Sequence, residues 1–404
     1  MKILVLAPHP FYQDKSNAIT LKLLAEGLTK SGHHLTVMTY GEGEDITIPG
    51  CRFIRLRKSL FSARAPKGFS KRRLVNWLKM YRLASRFLKT EKVDLIHARE
   101  EAVFIARRLG SQHGIPFVYE MNSQLPTELC SSGRLLPKLL PTLQKMEKSA
   151  VEESIGVLAG CGYLENRVFG ISEDIPVQRL DSCPLLGIIG DDAKRKSTAL
   201  SKKKDFITFL YAGNLESYQD IDLLLESFSL ACLENEKIQL VLIGGSSADI
   251  RKYKKQAAKL GIKGKRISFA GPKPVNDLAY YFQQADALIS PRNKGETVPW
   301  KIYSYLDSGK PVLATNTLPH TQILDDSVAL LVQANGTDMA AGIIKLANDS
   351  KLREELGTKG RELVTRRYTR YAFEQKLISF YRQIRQERVQ KDNTTDQFTS
   401  QPTT

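Results

Sequence analysis

Residues 295–315 read GETVPWKIYSYLDSGKPVLAT and follow directly on an apolar run, ADALISPRN. Glu296 is a carboxylate able to accept hydrogen bonds from a ligand, and Lys301 is a cation able to meet an anion. With Tyr303 and Tyr305 they open a stretch that reads as a helix, which stops at Ser308-Gly309 before a second strand, KPVLAT. Both charges then sit at the carboxyl end of a strand, where an open α/β sheet keeps its ligand crevice. Each also has a plainer reading. Glu296 could be a first-turn carboxylate on a helix dipole, and Lys301 a lysine on a helix surface. A second acidic pair, Glu100-Glu101, follows VDLIHAR at another strand end. It reads equally as a ligand-facing pair or as the start of a helix. His97, just before it, reads as a half-buried strand residue.

These residues need elements to hold them, and the chain supplies strands alternating with amphipathic helices almost throughout. KILVLA, HHLTVMTY, VDLIHA, PFVYEM and GVLAG are short apolar runs in the first half. Ile19, Leu21, Leu24 and Leu28 mark a helical stripe between the first two. After Pro184 the pattern lapses into GIIGDDAKRKSTALSKKKD, a charged, turn-rich linker. It then restarts with FITFLYAG, IQLVLIGG, RISFAG, ALISP and KPVLAT, with helices between. Strands separated by helices imply parallel sheets built from βαβ units. The expected fold class is therefore α/β: two Rossmann-like doubly wound domains facing a cleft. The boundaries read 1–186, a linker over 187–205, and 206–370. A helix over 371–388, with Phe373, Leu377, Phe380, Tyr381 and Ile384 on one stripe, comes next, and a polar, disordered tail over 389–404 ends the chain. The double glycine of LVLIGGSS lacks the spacing of a dinucleotide fingerprint.

At 404 residues, 42% hydrophobic and 25% charged, the composition is that of a globular protein with two domain cores. Five cysteines, far apart and never in C-x-x-C spacing, argue against a disulfide framework or a zinc site and fit a reducing cytoplasm. The opening MKILVLAPHP is too short an apolar run for a signal peptide, and no window approaches a bilayer span. A cytoplasmic protein is expected.

The net charge of +17 is concentrated. Residues 52–92 carry a long series of arginines and lysines against Glu91 alone, interleaved with Phe61, Phe69 and Trp77. Leu74, Leu78, Tyr81, Ser85 and Leu88 recur at helical spacing as one apolar stripe. The plain reading is a helix packed on its own domain with a solvated basic face. The sharper reading is an anionic partner, either acidic membrane lipid or a lipid-linked diphosphate. Nucleic acid is not expected, because no recognition motif accompanies the charge.

Four stretches together resemble the retaining, nucleotide-sugar-dependent glycosyltransferases of family four, which have the GT-B fold. They are FYQDKSNAITLKLLAEGLTKSGHHLTVMTYGEGEDITIPG, HAREEAVFIARRLGSQHGIPFVYEMNSQLP, YAGNLESYQDIDLLLESF and SPRNKGETVPWKIYSYLDSGKPVLAT, in that order. The resemblance runs from residue 1 to about 386 and implies that the last helix crosses back to the first domain. It implies a nucleoside-diphosphate sugar as co-substrate, no metal and no other cofactor. It puts Glu296 near the transferred sugar, and Thr297 beside it on the donor. A second family glutamate, on the ribose, is replaced by Ser304.

The chain departs from the family pattern elsewhere. Ser16 and Asn17 stand in a loop that is usually glycine-rich, and Asn122 stands where relatives often carry a histidine facing the sugar. After Gly213, the usual basic pair is replaced by Asn214 and Gln219, which leaves Lys301 as the candidate cation for the diphosphate. Lys273, in the turn Gly271-Pro272-Lys273-Pro274, lies near where the family holds the nucleobase, although an ordinary turn explains it equally well. Glu100 and Glu101 fall on the acceptor side.

The expected function is transfer of a sugar, with retention and without a metal, to an envelope glycan or lipid-linked acceptor. The expected place is the cytoplasm, peripheral on the inner face of the membrane through residues 52–92. A catalytically weakened relative that binds glycan or supports a partner transferase is the alternative.

Overall fold

The computed structural model describes residues 1–10, 16–57, 70–130, 136–184 and 205–399. The linker over 187–204, Phe61, Phe69, the loop residues Asp14 and Lys15, and residues 400–404 lie outside the described residues. Two compact units are present, one formed by Met1–Asp181 with Phe373–Thr404 and the other by Ser182–Ala372.

The first unit holds a seven-stranded sheet in the order β3-β2-β1-β4-β5-β6-β7, with every pairing parallel. Its strands are β1 Lys2–Pro10, β2 His34–Tyr40, β3 Cys51–Arg55, β4 Leu95–Arg99, β5 Phe117–Met121, β6 Val157–Ala159 and β7 Val177–Arg179. The second unit holds six parallel strands in the order β10-β9-β8-β11-β12-β13. These are β8 Ile207–Ala212, β9 Ile238–Ile243, β10 Ile267–Gly271, β11 Ala287–Ser290, β12 Val312–Thr315 and β13 Leu330–Val332. Strand order reverses between β1 and β4 in the first sheet and between β8 and β11 in the second. Ligand crevices of such sheets lie at these reversals, beyond the carboxyl ends of the strands.

Central strands are buried on both faces, so they read as mostly apolar runs with a few buried polar residues such as His97, Arg99 and Glu120, and all of them were visible in the sequence. The strands that sequence reading missed, β3, β7 and β13, lie at sheet edges and are only half-buried. Half-burial removes the pressure for a continuous apolar run, and CRFIR and VQR carry arginines.

The last helix, Arg370–Thr399, runs past residue 388 and through most of the tail expected to be disordered. Leu377, Phe380, Tyr381 and Ile384 are buried in the first unit. The chain there is shaped to admit them: a Cβ on Gly156 would lie 2.8 Å from the Phe380 ring, and one on Gly27 would lie 3.0 Å from Leu377.

The helix Lys71–Leu88 buries Met80, Ala84 and Leu88, so of the expected stripe only Leu88 is buried. Leu74 (43% exposed), Val75 (47%) and Leu78 (41%) face outward. The stripe was misread because two apolar faces overlap on this helix, and only the C-terminal one meets the core. Among the described residues, no helix is long and apolar enough to cross a membrane.

Candidate functional site

At the reversal of the second sheet, the ends of β8 and β11 bring together Gly213, Asn214, Gln219 and Lys301. Gly213 has φ +152°, and a Cβ there would lie 2.9 Å from the Tyr211 hydroxyl and 3.4 Å from Lys301 Nζ. Only glycine leaves room for backbone, phenol and cation at this point. Gly244, from the neighbouring β9 turn, approaches so closely that a Cβ would lie 2.0 Å from the Gly213 carbonyl oxygen.

Lys301 opens the helix Lys301–Asp307. Its Nζ donates to Gln219 Oε1 at 2.9 Å and lies 4.0 Å from the centre of the Tyr211 ring. Burial, and then Arg292, hold its pKa well below the ordinary lysine range. The plainer reading, a solvated surface lysine, does not describe it. Gln219 is itself buried, on the short turn Ser217–Gln219.

Asn214 is pinned between two phenols. Its Nδ2 donates to the Tyr218 hydroxyl at 2.8 Å, and its carbonyl accepts from the Tyr211 hydroxyl at 2.6 Å.

Glu296 and Thr297 lie in the loop before this helix and not in its first turn, so the helix-dipole reading of Glu296 fails. The Glu296 carbonyl accepts from Gln322 Nε2 at 2.6 Å, and its carboxylate is close enough to influence Arg292 electrostatically. Ser304 is buried one turn into the helix. Lys273 lies apart, half-buried, with its Nζ 5.8 Å from the centre of the Tyr281 ring.

Two residues that sequence reading passed over belong to this site. Arg292 follows β11 directly, and its guanidinium lies 5.2 Å from the centre of the Tyr218 ring. His320 is wholly buried under the loop, with Nε2 2.9 Å from Ser290 Oγ and Nδ1 2.9 Å from the Thr315 carbonyl. The signal for Arg292 was its place in SPRN, immediately beyond a buried strand.

In the first unit, the reversal between β1 and β4 carries a buried polar network. Arg99, 2% exposed, donates to Glu120 Oε1 at 2.8 Å, to His9 Nε2 at 3.1 Å, to the Asn17 carbonyl at 3.0 Å and to Thr20 Oγ1 at 2.8 Å. Glu120 Oε2 accepts a hydrogen bond from His97 Nε2 at 2.8 Å, and the Tyr381 hydroxyl of the last helix donates to His97 Nδ1 at 2.6 Å. His97 is thus fully buried and doubly bonded, not half-buried. Asn122 Nδ2 donates to Glu120 Oε1 at 2.8 Å, which orients the amide with one of its two hydrogens on the carboxylate. Asn17 contributes through its backbone, with its side chain exposed; Ser16 begins the helix Ser16–Lys30.

Glu100 and Glu101 have separate fates. Glu101 is buried, and Arg73 grips it with two bonds of 2.7 and 2.8 Å while also reaching Glu128 at 3.1 Å. It is an internal ion pair. Glu100 sits at φ +49°, a strained conformation for a residue with a side chain, and accepts from Ser123 Oγ at 2.8 Å. Burial first, and then Glu128, raise its pKa to about 8.

The same geometry corrects the basic region. Arg73 is spent on Glu101, and Arg72 pairs with Glu42 at 2.8 Å. Trp77 donates to the Glu101 carbonyl at 3.2 Å and stacks on Tyr81, so it is not a free anchor. The exposed cations of this helix are Lys71, Lys79, Arg82 and Arg86, which share one face with Leu74, Val75 and Leu78.

Comparison with known proteins agrees with this architecture. Residues 192–363 match the family model "Glycosyl transferases group 1", and residues 18–163 match "Glycosyl transferase 4-like domain". Similar solved structures include sucrose-phosphate synthase from Thermosynechococcus elongatus, with 19% identity, TM-score 0.77, and coverage of 95% of this chain and 98% of that one. HepE from Anabaena in complex with UDP gives 14% identity, TM-score 0.68 and coverage of 95% and 100%. WaaG, a glycosyltransferase involved in lipopolysaccharide biosynthesis, gives 14% identity, TM-score 0.67 and coverage of 93% and 98%. Comparison with curated protein sequences gives no match. The chain belongs to the family-four-like glycosyltransferases of the GT-B fold, and it is a glycosyltransferase.

Proposed function

We propose that the chain transfers a sugar from a nucleoside-diphosphate donor, with retention and without a metal, to an envelope glycan or a lipid-linked acceptor. The observation that carries this reading is Lys301, whose Nζ reaches Gln219 and the Tyr211 ring at the reversal of the second sheet. The family's basic residue is missing at Gln219, and Lys301 delivers a cation to that same point. Departure of the nucleoside diphosphate builds negative charge on the β-phosphate, and a fixed cation there lowers the barrier. Gly213 lets backbone approach the phosphates, Glu296 and Thr297 serve the sugar, and Ser304 serves the ribose. Retention follows from the resemblance. Among similar structures, HepE binds UDP, and WaaG acts in lipopolysaccharide biosynthesis; both support a nucleotide donor and an envelope acceptor for this chain.

Calorimetry with UDP, GDP and ADP tests the donor. One of them is expected to bind, and Lys301→Ala should weaken it by about 1.5–3 kcal/mol, the worth of a charge-assisted hydrogen bond. If none of the three binds, the donor in this reading is wrong.

Attachment to an anionic membrane is supported by the outward face of the helix Lys71–Leu88, where Leu74, Val75 and Leu78 lie among Lys71, Lys79, Arg82 and Arg86. Each cation near an anionic bilayer contributes about 1 kcal/mol. Changing Lys79, Arg82 and Arg86 to Ser should therefore cost about 3 kcal/mol in co-sedimentation with anionic vesicles at low salt. Nucleotide affinity should stay unchanged. Wild type that ignores such vesicles would remove the membrane from this reading.

A further inference from the structure

We infer that Arg292 is the second cation of the diphosphate seat, paired with Lys301 across Asn214 and its two tyrosines. The inference rests on the donor-site reading above and adds a residue to it.

The geometry has a simple plan. Asn214 is held by two phenol groups, Tyr211 on its carbonyl and Tyr218 on its side-chain amide. Each of those rings carries one cation on its face: Lys301 Nζ at 4.0 Å from the Tyr211 centre and the Arg292 guanidinium at 5.2 Å from the Tyr218 centre. The two positive groups are therefore gathered around one residue, close enough for Arg292 to disfavour protonation of Lys301.

Like charges held together in a half-buried site are unfavourable unless something negative completes them. Among the described residues, neither Arg292 nor Lys301 makes an ion pair. Glu296 in the same loop acts on Arg292 only from beyond ion-pair distance. Tyr218 and Gln219 bring no carboxylate to the pair, and burial drives Tyr211 up and His320 down, towards their uncharged forms. A dianionic ligand supplies what the pair lacks.

The loop is also shaped around this arginine. Arg292 Nε donates to the Lys294 carbonyl at 2.8 Å, which fixes the plane of the guanidinium and leaves its terminal nitrogens to a ligand. Thr315 Oγ1 and Thr317 Oγ1 both donate to the Arg292 carbonyl, at 2.5 and 3.2 Å, and anchor its backbone. Gly295 turns at φ +96°, and a Cβ there would lie 2.4 Å from an Arg292 terminal nitrogen. A residue held in so many ways is being presented. A fork of two N–H groups matches a phosphate, and Lys301 adds a point charge beside it.

The test uses the full chain and calorimetry, with the nucleoside diphosphate that wild type binds and the matching monophosphate. Wild type that binds none of UDP, GDP and ADP overturns the donor reading itself. Given binding, Arg292→Gln should lower diphosphate affinity about tenfold or more, the scale of one charge-assisted hydrogen bond. The ratio of diphosphate to monophosphate affinity should shrink with it. Arg292→Lys, which keeps the charge and loses the fork, should fall between. An unchanged ratio in Arg292→Gln overturns the inference and leaves Lys301 alone at the phosphates. If Arg292→Gln does not fold, Arg292→Lys decides the matter: a ratio equal to wild type overturns the inference, and a reduced one supports it.

Discussion

Glu120→Leu should destabilise the first unit by about 3–5 kcal/mol, the cost of leaving a buried charge without its partner. Arg99 is 2% exposed and has Glu120 as its carboxylate, at 2.8 Å. Two neutral acceptors, His9 Nε2 and Thr20 Oγ1, and the Asn17 carbonyl would remain, and none of them carries charge. The same change strands the His97 Nε2 proton and the Asn122 amide. Asn122→Ala, which removes one neutral donor from the network, should cost only about 1 kcal/mol. Urea unfolding of both variants measures the contrast. Equal losses would mean that Arg99 finds water or another anion, and that Glu120 is not its counter-charge. The network also sets which way Asn122 faces, because its Nδ2 is held by Glu120 at 2.8 Å.

Sequence reading reached the fold and part of the candidate site, and the reasons divide along physical lines. A parallel strand buried on both faces must be largely apolar, so β1, β4, β5, β8, β9 and β11 announce themselves in spite of the buried His97, Arg99 and Glu120. Edge strands are free of that demand, and CRFIR was absorbed into a basic region. Lys301 was found because a cation was missing at Asn214 and Gln219. Arg292 was not, since its place in SPRN just beyond a buried strand does not by itself tell an arginine presented over a tyrosine from one in a loop. The partners of Arg73 could not be read at all: Glu101 and Glu128 are distant in sequence, and only the tertiary fold joins an expected membrane group, Arg73, and an expected acceptor group, Glu101, with Glu128 in one ion-paired cluster. Helical spacing found an apolar face on the helix Lys71–Leu88, but periodicity does not say whether such a face meets a core or solvent.

Acid should loosen the two units through one buried histidine each. Burial first, then Arg99, lower His9 to about 3, and burial lowers His320 to about 3 against an ordinary value of 6.5. In the unfolded chain both take a proton near 6.5; in the folded chain neither does until about 3. Between those values the unfolded state binds more protons, so stability falls as pH falls, by about 1.4 kcal/mol per pH unit for each histidine. Glu100 acts in the opposite sense over part of that window. Its folded pKa, about 8, is raised, so its contribution is present at low pH and is lost as pH rises towards 8. Glu120, lowered to about 2, holds its contribution until the pH drops below the ordinary carboxylate range. A wild-type curve therefore mixes signs, and the informative quantity is the difference between wild type and His320→Gln. That substitution should lower stability at pH 7.5 through lost bonds to Ser290 and Thr315. It should also flatten the dependence of the second unit on pH between about 6.5 and 4.5 by about 1.4 kcal/mol per unit. Parallel curves for the two proteins would show that His320 is protonated in the folded state, a third positive charge beneath Lys301 and Arg292.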